Sequence, residues 1–221
     1  MNNLTLVIPA KNEKESLPKV LEELKIYNFK TLIVLERIDT DTINSIKKYK
    51  KKLLFQKKVG YGDALKLGIK NVKTKFFCIF NADGSFNPKE IKKMMARIKK
   101  NDADLIFGSR YQGRASSEDD TIITYVGNKI FTLIGKIFFN LPITDILYTF
   151  VIGKTKKVNK LNIKSYDFRF CVELPIKAKK KNYKLISSES HERKRIAGFK
   201  KVNAFKDGFM ILKEMVYQFF F

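Results

Sequence analysis

The chain has 221 residues, 44% hydrophobic and 30% charged, with 45 Lys and Arg against 22 Asp and Glu. That length and balance exclude a disordered chain and suit one domain with a full core, while a net charge of +23 favours anionic partners. The two cysteines, Cys78 and Cys171, lie inside apolar runs and read as core thiols of a reduced compartment rather than a disulfide or metal pair.

Along the first half, strand and helix patterns alternate. "LTLVIPA" is a continuous apolar run of the kind a strand buried on both faces requires. "EKESLPKVLEELKIY" follows with Leu17, Val20, Leu21 and Leu24 at helical spacing. The alternation continues through "TLIVL" and "DTINSIKKY", then "KLLFQ" and "YGDALKLGIKNV". "KFFCIF", "PKEIKKMMARIKKN" and "ADLIFG" complete it, with Pro88 suited to a first helical turn. Such an order predicts an α/β fold: a mainly parallel sheet with helices on both faces, whose ligands bind at the carboxyl ends of the strands.

The second half changes character. "QGRASSEDDT" (112–121) is a polar loop, and "IITYVGNKIFTLIGKIFFNLP" a long helix with Lys129 and Lys136 two turns apart on one face. "ITDILYTFVIG" reads as loop and strand, "YDFRFCVELPIKAKKKN" as a helix despite Pro175, and "YKLISSE" as a strand. "HERKRIAGFKK" is a basic loop before a final amphipathic helix ending in Phe219–Phe221, which a terminal position leaves exposed. The opening "MNNLTLVIPA" lacks the basic-then-apolar build of a signal peptide, and no charge-free run approaches the roughly eighteen residues of a membrane span.

Four strand ends carry polar residues that can converge. Asn12 and Glu13 follow Pro9, and serve either a ligand or the cap of the next helix. Glu36, Asp39 and Asp41 follow the second strand; they suit accepting hydrogen bonds from a base or ribose, or again a helix cap. Gly60, Gly62 and Gly68 permit either a tight turn or close approach of backbone to a phosphate. "NADG", residues 81–84, is either a plain turn or a place for a hard divalent cation at Asp83, since Mg²⁺ needs few carboxylates when a diphosphate supplies the other oxygens.

In that order, these elements resemble the family-2 glycosyltransferases of the GT-A, Rossmann-like fold. "VIPAKNEKESL" resembles the family's opening signature, "VLERIDTDT" its acidic second strand end, "GYGDALKLG" its glycine-containing turn, and "NADG" its Asp-x-Asp metal motif. "FGSRY", "VGNKIF", "ITDILYTF", "FRFCVEL" and "ERKRIAGFKKV" are similar to successive elements of the polyprenyl-phosphate sugar synthases, so that the resemblance covers residues 4 to 215.

The resemblance implies a single domain: a nucleotide-sugar half (1–110), an acceptor half (111–201) and a C-terminal amphipathic helix (202–221). It implies that Pro9, Ala10, Asn12, Glu13, Glu36, Gly62, Asp63, Asn81, Ala82 and Asp83 bind the nucleotide sugar. Asp83 with Asn81 would hold Mg²⁺ or Mn²⁺, and Arg110, Asn128, Arg193, Arg195 and Lys201 would meet acceptor and phosphates, with Asp83 and Arg110 catalytic. Three departures stand out. Asn81 replaces an acid, Glu36-Arg37 replaces Asp-Asp, and "DILYTFVIGK" lacks the acceptor-side arginine, with Lys154 its nearest stand-in.

The expected reaction is inverting transfer of a sugar to a polyprenyl phosphate, for which fixed cations and a divalent ion stabilise the departing diphosphate. A lipid phosphate is already anionic, so no strong base is required and His191 is a bystander. The same expectation places the protein in the cytoplasm, peripheral to the inner membrane face, with its two amphipathic helices in the interfacial plane. Transfer to a glycan hydroxyl in cell-surface polysaccharide synthesis is the alternative, needing a carboxylate base such as Asp145 or Glu173. A non-catalytic relative binding acidic lipid or nucleic acid is the third reading. Nucleic acid is not expected, because the basic residues are dispersed and Trp is absent.

Overall fold

The computed structural model describes residues 3–199 and 201–221. Its centre is one seven-stranded sheet in the order β3-β2-β1-β4-β6-β5-β7. The strands are β1 (Leu4–Pro9), β2 (Lys30–Leu35), β3 (Lys52–Phe55), β4 (Phe76–Ile79), β5 (Leu105–Ser109), β6 (Val151–Lys154) and β7 (Leu185–Glu189). All pairings are parallel except those of β6, which runs antiparallel between β4 and β5. The expected mainly parallel sheet is thus present, with one reversed strand whose direction its apolar run "FVIG" does not encode.

Because successive strand residues face opposite sides, β1 divides its side chains between two cores. Leu6 and Ile8 face the layer containing α1 (Leu17–Leu24) and α4 (Lys89–Lys100). Val7 faces the layer of α3 (Tyr61–Asn71) and α7 (Phe170–Lys180). Gly68 of α3 lets that helix lie directly on β1, since a Cβ there would stand 2.3 Å from Val7 Cγ1. Pro175 lies inside α7 without ending it. Cys78 and Cys171 are buried free thiols, as their apolar surroundings predict.

Two long helices complete the molecule. α5 (Ile122–Phe139) opens with a capping box in which Thr121 and Thr124 satisfy each other's backbone N–H groups. α8 (Ala204–Phe220) is capped by Asn203 and packs beside α5, with Phe219 edge-on to Phe138 at 5.6 Å. A short α2 (Thr40–Ile46) follows β2, and a one-turn α6 (Thr155–Val158) not foreseen from the sequence follows β6. Since β1, β2, β4 and β5 run in one direction, their carboxyl ends meet at one sheet edge, where the cavity lies.

Candidate active site

At that edge the chain makes a cavity of about 480 Å³. Pro9, Ala10, Asn12 and Glu13 enter from the end of β1, Glu36 from β2, and Asn81, Ala82 and Asp83 from β4. Arg110 enters from β5, Asn128 from α5, and Arg195 and Lys201 from the basic segment before α8. Twelve expected residues from six separate stretches therefore share one wall.

Local hydrogen bonds set this geometry. After β1 the chain turns through Asn12 in a left-handed conformation (φ 52°), which asparagine tolerates. The turn is held from α2: Asn12 N donates to Asp39 Oδ2 at 2.7 Å and Glu13 N to Thr42 Oγ1 at 2.9 Å. Asp39 also caps α2, while Asp41 pairs on the surface with Lys14 at 2.9 Å. Of the three acids after β2, only Glu36 lines the cavity, where it accepts from Lys11 at 2.8 Å. Glu13 is buried, accepts from Ser16 and pairs with Lys201.

The β4 turn is built around Asp83. Its Oδ1 accepts from Ser85 N at 3.0 Å and Ser85 Oγ at 2.7 Å, while Oδ2 lies 3.7 Å from Arg195. The Asn81 amide oxygen faces the Tyr61 hydroxyl at 3.5 Å, and burial pushes that phenol's pKa well up. No group of three or more acids, histidines or cysteines placed to hold a metal ion by themselves occurs among the described residues. Asp83 and Asn81 nevertheless offer hard oxygen donors. One carboxylate and one amide fit Mg²⁺ or Mn²⁺ when a diphosphate and water complete the coordination sphere.

Gly62, Asp63 and Arg193 lie outside the cavity lining. A Cβ on Gly62 would meet the Asp167 and Ser165 carbonyl oxygens at 2.7 and 2.9 Å, so this glycine admits protein backbone rather than a nucleotide. Asp63 donates its N–H to Tyr166 O at 3.0 Å and accepts from Lys58 N at 3.3 Å, which fixes the start of α3. Arg193 is turned away, bidentate to Glu23 at 2.9 and 3.0 Å and donating to Phe86 O at 2.6 Å. Lys154, the suggested stand-in for the missing arginine, pairs instead with Asp102 and Asp104 at 2.8 and 3.0 Å.

Arg110 lines the cavity, but carboxylates surround it. It is bidentate to the fully buried Asp145 at 2.8 and 3.0 Å, donates to Glu192 at 3.1 Å and lies 3.7 Å from Asp120. Burial opposes its charge, yet Asp145 and Glu192 hold its pKa above the ordinary range. Asn128 donates to Asp145 from the other side. Glu192 has its pKa raised by burial, partly offset by Arg110.

The sequence reading missed a contribution from the polar loop. In "SSEDD" each acid meets a different base: Glu118 meets His191 at 2.8 Å, Asp119 meets Arg195 at 2.7 Å, and Asp120 meets Arg110. Asp119, Asp120 and Glu192 all line the cavity. The signal lay in a run of three acids within a very basic chain, although their partners stand more than seventy positions away for Glu118 and Asp119. His191, bound to Ser116 at 2.7 Å and to Glu118, is not among the lining residues.

The comparisons with known proteins can now be placed on this geometry. The family model "Glycosyl transferase family 2" matches residues 5–161. An uncharacterized glycosyltransferase of Mycobacterium tuberculosis is 31% identical over 107 residues, 48% of either chain. The chain thus matches about half the length of that relative. An uncharacterized protein of Methanocaldococcus jannaschii is 27% identical over 192 residues, covering 83% of this chain and 79% of the relative. Among solved structures, glucosyl-3-phosphoglycerate synthase from Mycobacterium tuberculosis, in complex with Mn²⁺, UDP and phosphoglyceric acid, superposes with a TM-score of 0.76. It covers 98% of this chain and 78% of its own at 10% identity, a likeness of fold, the GT-A fold expected from the sequence.

Proposed function

This chain belongs to glycosyl transferase family 2, and from that premise we propose that it moves a sugar from a nucleoside-diphosphate sugar to a polyprenyl phosphate at a membrane surface. The observation that carries the reading is the single cavity joining Glu13, Glu36 and Asp83 to Arg195 and Lys201, with Thr124 and Asn128 of the apolar helix α5 in its wall. The solved neighbour that was crystallised with UDP and Mn²⁺ supports the donor class.

In this reading Glu36 and Glu13 hold base and ribose hydroxyls, and Asp83 with Asn81 holds Mg²⁺ or Mn²⁺. That ion would supply positive charge to the departing diphosphate. Arg195 and Lys201, now paired with Asp119 and Glu13, exchange those carboxylates for phosphate oxygens and add fixed charge at the same place. Arg110, with Asp145 behind it and Asn128 beside that acid, stiffens the acceptor wall. A phosphate oxygen of the acceptor forms the new bond to the anomeric carbon as its bond to the diphosphate breaks. The electron pair leaves with the nucleoside diphosphate, and the anomeric centre inverts.

The test is incubation with a panel of nucleotide sugars, Mg²⁺ or Mn²⁺, and undecaprenyl phosphate. Nucleoside diphosphate release that needs the lipid phosphate is expected; none with any combination overturns the proposal.

One observation favours a second reading, transfer to a glycan hydroxyl. Asp145 is saturated by Arg110 and Asn128, and Glu173 lies outside the cavity lining, so neither suggested base fits. Glu192 does line the cavity; Arg110 and Ser117 hold its Oε2, and burial raises its pKa in the direction a base requires. Turnover with a water-soluble glycan and no lipid decides for this version. A small phosphorylated acid, of the kind bound in the solved neighbour, belongs in the same acceptor panel.

A further inference from the structure

α5 and α8 carry two apolar stripes that none of the described residues covers. On α5, Val126, Ile130, Leu133 and Ile137 recur at helical spacing and are all exposed. On α8, Phe205, Phe209, Leu212 and Val216 do the same, while Ile211 and Met215 face the core. The helices pack side by side, so the stripes form one plate. Such an area of exposed apolar surface marks a binding face.

We infer that this plate docks flat on an anionic lipid bilayer and places the cavity mouth at the headgroup level. The inference rests on the transferase reading only for what the mouth receives.

Charge selects the occupant. α5 contains no acid, and of the two in α8, Glu214 is buried and Asp207 accepts from Asn203 N at 2.7 Å. Lys129, Lys136, Lys206 and Lys213 are exposed on the same two helices. A second copy set face to face would bring lysine against lysine. Anionic headgroups answer those charges while acyl chains take the stripes.

The local anchoring sets the orientation. α5 has the length and composition to cross a membrane, yet it is tied to the loop beside it. Asn128 donates to buried Asp145 and accepts from Leu147 N at 3.3 Å, Thr132 accepts from Ile146 N at 3.2 Å, and Gly135 seats on Leu141 and Ile146. A spanning helix would have to break those bonds, whereas one lying in the interface keeps them. The plate is also continuous with the site. Thr124 and Asn128 of α5 and Lys201 and Val202 before α8 line the cavity, and Phe199 and Phe205 beside them are 90% and 81% exposed.

Two measurements test the inference, using the full chain. Sedimentation with phosphatidylglycerol-containing vesicles should show binding that weakens with salt and with replacement by phosphatidylcholine. The double variant Phe205→Glu/Phe209→Glu should weaken it by at least about tenfold without lowering the thermal midpoint. The chain has no Trp, so Phe209→Trp gives a single reporter whose emission should shift to the blue on the anionic vesicles.

The inference is overturned by absence of vesicle binding, by binding that the double variant does not change, or by a dimer that the same variant dissolves. Calorimetry of a nucleoside diphosphate with Mg²⁺ in lipid-free buffer tests the donor site separately. Nucleotide binding without vesicle binding would therefore sink the docking face and the membrane setting of the transfer but leave the donor site standing, and the reverse would sink the transferase reading alone.

Discussion

Arg195 donates to Asp119 at 2.7 Å while its other terminal nitrogen stands 3.7 Å from Asp83, so one guanidinium links the β4 turn to the acidic segment 118–120. Burial opposes its charge, but the bonds to Asp119 prevail and its pKa is raised, so the cation persists. In the proposed reading, a diphosphate entering beside Asp83 would take this guanidinium over from Asp119. Arg195→Ala is expected to weaken binding of a nucleoside diphosphate with Mg²⁺ by about tenfold to a hundredfold, the scale of one or two charge-assisted hydrogen bonds. Isothermal titration of variant against parent checks it; equal affinities would place the diphosphate elsewhere.

The β4 turn sets the metal prediction. Asp83 is its one carboxylate, and Asn81 brings an oxygen without charge. Asp83→Ala is expected to remove the Mn²⁺ dependence of nucleotide binding. Asn81→Ala should reduce metal affinity by about tenfold, as loss of a supporting ligand does. Asn81→Asp should raise it, since a second anion is added to the hard-oxygen set. Manganese titration followed by electron paramagnetic resonance, with nucleoside diphosphate present, separates the three. A silent Asp83→Ala would end the metal assignment.

The sheet was legible because buried parallel strands and amphipathic helices leave different apolar periods, and those periods are local. The direction of β6 was not, since an apolar run has the same composition read either way. The strand-end acids were legible as a group but not as individuals. Asp39 and Glu36 stand three positions apart, yet Asp39 caps α2 while Glu36 faces the cavity, a choice made by the tilt of one turn. Gly62 illustrates the opposite failure. A glycine before a helix suggested approach of a phosphate, and the approaching group is the 165–167 backbone, more than a hundred residues later. Likewise Glu118 and Asp119 find their partners only when β7 brings the 191–195 segment alongside.

Gly84 carries a third prediction. It sits at φ +83°, and a Cβ there would stand 2.4 Å from Ile196 Cδ1. The same two segments share backbone bonds, with Ile196 N donating to Asp83 O at 2.8 Å and Arg193 N to Ser85 O at 2.9 Å. Gly84→Ala adds both a strained conformation and a clash, and is expected to cost about 1–3 kcal/mol. Adding Ile196→Ala should recover the steric part and leave the conformational part. Denaturant unfolding of the two single variants and the double variant measures that coupling; strict additivity would show that the contact is not what resists the substitution.

Glu173 provides the pH prediction. It is fully buried, and its carboxylate accepts from Lys164 N and Ser165 N at 2.8 Å each and pairs with Lys177 at 2.5 Å. Burial alone would raise its pKa, but Lys177 and the two amides outweigh it and hold the pKa below the ordinary value. A depressed carboxylate pKa stabilises the fold above the unfolded value of about 4.3, and that stability fades as pH falls through the folded value. Glu173→Gln is expected to lower stability by about 2–4 kcal/mol at pH 7, roughly 5–15 °C in Tm. The gap to the parent should hold from pH 7 down to about 5 and then narrow as pH falls below the unfolded value, towards about 3. Because Ser165 begins the loop that presses on Gly62 and receives Asp63, the variant should also loosen the start of α3, visible as faster amide exchange there. Calorimetric melts across that range decide the matter: a gap that stays constant with pH would mean the carboxylate charge contributes nothing.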